Sequence, residues 1–106
     1  MNKDPNAGCQ TVEHKPANVD AVLAERGSRY GKFTGHADVT QKLKHAAFLH
    51  AANHGVNLSA DQREALDMIC HKIGRIVNGD PNYSDSWIDI AGYAKLVADR
   101  LEGVEQ

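Results

Sequence analysis

Four carboxylates stand at spacings that suit metal chemistry. Glu64 and Asp67 are three residues apart, and Asp85 and Asp89 are four apart. On a helix surface both spacings bring side chains together, where like charges repel by roughly 0.2–0.5 kcal/mol per exposed pair. A divalent cation relieves that repulsion. Mg²⁺ takes hard oxygen ligands, commonly one or two carboxylates completed by substrate phosphates and water. Glu64, Asp67, Asp85 and Asp89 are therefore candidate metal ligands and candidate catalytic residues. The same four also read as solvated helix faces, with Asp85 as an N-cap and Glu64 paired to Lys72 or His71. Met68 and Leu96 are apolar residues on these polar faces. They suggest a second packing surface, formed with another helix or another subunit.

A basic set complements the acidic one. Arg26, Arg29, Tyr30 and Lys32 fall in the stretch RGSRYGKF, and Lys72 and Arg75 lie further on. Arginine binds phosphate oxygens in a bidentate fork, and these six are the candidate phosphate or ligand contacts. A loop pinned by its aromatics with its charges in water accounts for the stretch equally well. His50 and His54 have a metal-compatible spacing, but no cysteine and no HExxH glutamate accompanies them. A satisfied core or helix-end role suits them better. Cys70 lies on an apolar stripe and reads as a small buried group. No Ser-His-Asp arrangement and no GxxxxGK loop is present.

Helices must position these residues. Asn18 caps a short helix over Val19–Arg26, with Gly27 at its end. SRYGKFTG (28–35) reads as a structured loop whose Tyr30 and Phe33 fold back on the core. A helix over about His36–Asn53 carries Val39, Leu43, Ala46, Ala47 and His50 on one face, and Gly55 ends it. Ser59 and Gln62 match a capping box for a helix over Ala60–Val77. Its stripe is Leu66, Ile69, Cys70, Ile73, Ile76 and Val77. Gly79 and Pro81 stop it. Ser84 or Asp85 then caps a helix to about Leu101, striped by Trp87, Ile90, Ala91, Ala94, Val97, Ala98 and Leu101. The short Asn-Gly-Asp-Pro connection predicts that these two helices pack as an antiparallel hairpin. The fold class is all-α: a bundle of three to four helices ending in that hairpin. Residues 1–17 read as a flexible tail, and 18–106 as a single domain.

Totals bound the functions. A chain of 106 residues is one modest domain. A net charge of −2 argues against duplex nucleic acid. Cys9 and Cys70 form no disulfide framework, which suits a reducing cytoplasm. No apolar run approaches the roughly 18 residues that span a bilayer, and the leader has no hydrophobic segment. The expectation is a cytoplasmic protein with no membrane partner.

The segments ERGSRYGKF (25–33), EALDMICHKIGRIVNGDP (64–81) and DSWIDIAGYAKL (85–96) resemble a family of small phage and prophage proteins of unassigned function. That family is distantly similar to phage nucleotide-modification-associated proteins and to MazG-like nucleoside triphosphate pyrophosphohydrolases. The resemblance implies a MazG-like bundle in a host cell, homo-oligomeric, with Mg²⁺ against a triphosphate. It assigns Glu64 and Asp67 to the first metal-binding pair, and Asp85 and Asp89 to the second. The first pair reads ExxD where the MazG-like pattern has ExxE, and the second DxxxD where it has ExxD. Its alternative is a non-catalytic nucleotide-binding or host-protein-binding module.

Overall fold

The computed structural model describes residues 16–104. Four helices follow in order: α1 (Pro16–Tyr30), α2 (Phe33–Asn53), α3 (Ala60–Asn78) and α4 (Ser84–Leu101). No strand occurs among the described residues. Most of the expected tail, Cys9 included, lies outside them, although Pro16 and Ala17 already belong to α1.

The first connection differs from expectation. α1 runs through Gly27 to Tyr30, and α2 starts at Phe33, so the expected eight-residue loop shrinks to Gly31 and Lys32. Pro16 suits a first helical position, where its missing N–H costs nothing. Ser28 Oγ donates to Glu25 O at 2.7 Å, and Arg29 Nε donates to Glu25 Oε2 at 3.0 Å. Both contacts favour continuing the helix past Gly27. The chain breaks at Gly31, whose φ of 78° is the left-handed conformation that glycine tolerates.

α3 begins as its sequence directs. The capping box forms, with Ser59 N donating to Gln62 Oε1 at 2.9 Å. α2 and α3 run antiparallel, as three contacts along their length show: His36 with His71, Lys44 with Asp67, and Phe48 with Arg63. α3 and α4 also run antiparallel. Lys72 pairs with Asp89 near one end, and Arg100 grips Asp61 through two bonds of 2.8 Å near the other.

The expected antiparallel hairpin of α3 and α4 forms. α2 and α4 do not touch; each lies against α3, and α1 contacts α2 and α3. At 100° per residue, Arg63, Asp67 and Gly74 leave α3 toward α2, while Asp61 and Lys72 leave nearly opposite, toward α4. α2, α3 and α4 therefore form one flat layer. The apolar stripe of α3 points to one side of that layer rather than at α4. Val77 is 63 % exposed, Trp87 55 % and Leu101 59 %. Among the described residues, Ala65, Cys70 and Ile76 are the buried apolar ones, and no large side chain is fully buried. Phe33, expected to fold back on the core, is instead 78 % exposed.

Candidate ligand site

The four carboxylates do not converge. Asp67 Oδ1 lies 3.6 Å from Lys44 Nζ on the α2 side of α3. Asp89 Oδ2 lies 3.0 Å from Lys72 Nζ on the α4 side. Asp85 accepts from Tyr83 Oη at 2.8 Å, and Glu64 is exposed. Among the described residues, no group of three or more histidines, cysteines, aspartates or glutamates is placed to hold a metal ion. His50 and His54 stack at 3.9 Å on the exposed end of α2, where His54 Nδ1 bonds His50 O at 2.9 Å. Cys70 is buried, and burial raises its thiol above the ordinary value.

The basic residues divide. Arg26, Tyr30, Lys32 and Arg75 line one cavity of about 830 Å³ with Phe33, His36 and His71, and among the described residues no carboxylate lines it. Lys72 does not line it; this nearly buried lysine faces Asp89 instead. Arg29 lies outside too, held by Glu25 and stacked over the Tyr83 ring at 4.3 Å.

Two chain segments shape the cavity. Asn78 Nδ2 donates to Tyr30 O at 2.7 Å and to Lys32 O at 3.0 Å, bracketing the Gly31 turn. Asp80 N donates to Arg29 O at 2.7 Å. A Cβ at Gly31 would collide with the Asn78 carbonyl, so only glycine allows this approach. The RYGKF and NGDP segments, 46 to 48 residues apart, are thus two halves of one clamp. That clamp aims the start of α2 into the cavity. No side chain caps α2, its first turn has no acidic residue, and its leading N–H groups have no intrahelical partner. A bare helix N-terminus favours an anion.

The cavity wall is electrically specific. Arg75 Cζ sits 4.1 Å over the Tyr30 ring, which holds the guanidinium in place. His36 Nε2 and His71 Nδ1 are 3.3 Å apart, with the rings edge to face. Burial, then neighbouring Arg75, depresses His71 to about 4. Burial also lowers His36, so both rings are neutral at pH 7. His36 Nδ1 and Thr40 Oγ1 are buried against the Gly74 backbone, and the contact of His36 with that backbone partly offsets the effect of burial. Gly74 is what lets them in, since a Cβ there would strike Thr40 Oγ1.

His36 was missed by spacing because it sits at the expected helix boundary, 35 residues from its partner. The one available signal was His71, a histidine on the polar side of α3 beside Arg75.

No curated protein shows significant similarity to the chain. No solved structure does either. One family model matches residues 17–101, which takes in all four helices except the first residue of α1. The chain therefore belongs to the DUF6378 family, a domain of unknown function.

Proposed function

We propose that the protein binds a small phosphorylated ligand, a nucleotide in class, in the cavity between α1, α2 and α3. The observation that carries this reading is the convergence of Arg26, Lys32 and Arg75 on the uncapped start of α2, with no carboxylate among the described residues of the wall. A phosphate there meets a bidentate arginine, a lysine and free backbone N–H groups. Tyr30 and exposed Phe33 offer apolar surface to the rest of the ligand. The resemblance to phage and prophage proteins supports a setting in phage nucleotide metabolism within a host cell. The same resemblance implies a homo-oligomer.

The Mg²⁺-dependent pyrophosphohydrolase reading has less support. It needs Glu64, Asp67, Asp85 and Asp89 around one metal. Asp67 and Asp89 instead each meet a lysine, on opposite flanks of α3.

Titration calorimetry with nucleoside mono-, di- and triphosphates, with and without a chelator, separates the two. Binding is expected to survive chelation with the ligand recovered intact. A charge-assisted contact contributes about 1.5–3 kcal/mol, so Arg75→Ala should weaken binding roughly 10- to 150-fold. Pyrophosphate release that needs Mg²⁺ and is lost in Asp89→Asn would favour the hydrolase. Absence of binding across the panel would sink the ligand reading.

A further inference from the structure

We propose that the apolar side of the α2–α3–α4 layer is the interface of a homodimer. The argument starts from the direction of each stripe. On α3, Ile73 stands about 100° from the α2-facing residues and about 110° from the α4-facing ones, Leu66 about 80° and 130°, and Val77 about 60° and 150°. On α4, Trp87 and Leu101 stand about 100° or more from Asp89 and Arg100, the residues that face α3. On α2, Leu43 is similarly offset from Thr40 and Lys44, which face α3. Neighbouring helices run antiparallel, so the sense of rotation reverses from one to the next. All three stripes then fall on the same side of the layer.

A helical layer with one apolar side needs a second layer to make a core. α1 does not supply it, because it contacts α2 and α3 without reaching α4, and its own Val19, Val22 and Leu23 are exposed. Residues 1–15 offer only Met1 and Val12 as large apolar groups, too few to cover three helices.

Area favours a second copy. The helices are 21, 19 and 18 residues long. At about 1.5 Å per residue and about 9 Å between axes, the side measures about 800 Å². That equals the roughly 800 Å² per partner of a standard stable interface. An isologous contact buries the same stripe on both chains and leaves no apolar side over, whereas an unrelated partner would have to match it in size and flatness. The surface differs from Met68 and Leu96. The dimer also stands independently of the ligand reading.

Sedimentation of the full chain across micromolar concentrations tests the proposal. The wild type should sediment at twice the 11.6 kDa chain mass, with a Tm that rises with concentration. Val77→Lys should abolish the dimer, as a folded monomer or as an unfolded chain. Ile88→Lys, a matched change at an equally exposed apolar residue outside the stripe, should remain dimeric and helical. A folded wild-type monomer with a concentration-independent Tm overturns the proposal. So does a dimer that survives Val77→Lys, or one that is lost equally in both variants.

Discussion

His71 and His36 sit where charge is disfavoured, and this has a consequence for stability. A histidine depressed on folding binds fewer protons in the folded chain than in the unfolded one. Stability therefore rises with pH wherever the unfolded chain holds the extra proton. For His71 that window runs from about 4, its folded value, up to the ordinary 6.5. His36 is shifted the same way and adds to the effect. The contribution is full above pH 6.5 and falls away as the pH drops toward 4. Between pH 7 and 5 the loss should be about 1–2 kcal/mol after allowing for solvent screening. Urea midpoints measured over that range should fall in the wild type and stay nearly flat in a His36→Gln, His71→Gln double variant. Parallel slopes would show that these two rings do not titrate as buried neutral groups. An anion in the cavity favours the protonated rings, so a phosphorylated ligand should bind more tightly as the pH falls through the same window.

At the scale of elements, the clamp between Asn78 and the Gly31 turn is the part that holds the cavity open. Asn78→Asp keeps the size of the side chain but loses the donor and sets a carboxylate against two carbonyl oxygens. A loss of about 1–3 kcal/mol is expected by thermal or urea unfolding. Hydrogen exchange should speed up first at the start of α2. A neutral outcome would mean that Asp80 N on Arg29 O suffices to hold the turn. Local signals were legible in the sequence. The capping box of α3 depends on residues three apart, and the periodicity of α2, α3 and α4 gave their extents to within a few positions. Gly27 misled because a glycine after a basic turn looks like a helix end, whereas the Glu25–Arg29 pair carries the helix over it. Half of the cavity was legible as well, since Arg26, Tyr30, Lys32 and Arg75 stand out by type. The convergence of His36 on His71 was not, because it depends on how α2 docks against Gly74. The same limit applies to Asp67 and Asp89: spacing showed that each shares a helix face with a second carboxylate, Glu64 or Asp85, while the lysine each would meet lay on another helix.

For the whole molecule, the flat layer explains why a charged pair carries weight between α3 and α4. The apolar stripes point largely to one side, so the Lys72–Asp89 pair lies in the α3–α4 seam. Lys72 keeps only 11 % of its side chain exposed, while Asp89 keeps 45 %. Removing the aspartate strands a lysine that is nearly buried. Breaking a fully buried pair costs about 3–5 kcal/mol, and the half-exposed partner here reduces that to roughly 1–3 kcal/mol. Asp89→Ala is therefore expected to lower the Tm. Any loss of activity in that variant has to be read against its stability. Lys72→Met should be milder, because it leaves an exposed carboxylate that water can solvate. The double variant Lys72→Met, Asp89→Ala should recover most of the loss, since an apolar filling often replaces a buried pair at little cost. Urea unfolding of the two single variants and the double one, treated as a double-mutant cycle, gives the coupling directly. Coupling of more than about 0.5 kcal/mol is expected for a structural pair. Additive effects, with Mg²⁺ stabilising the wild type and not Asp89→Ala, would instead mark Asp89 as a metal ligand that meets Lys72 only when no cation is bound.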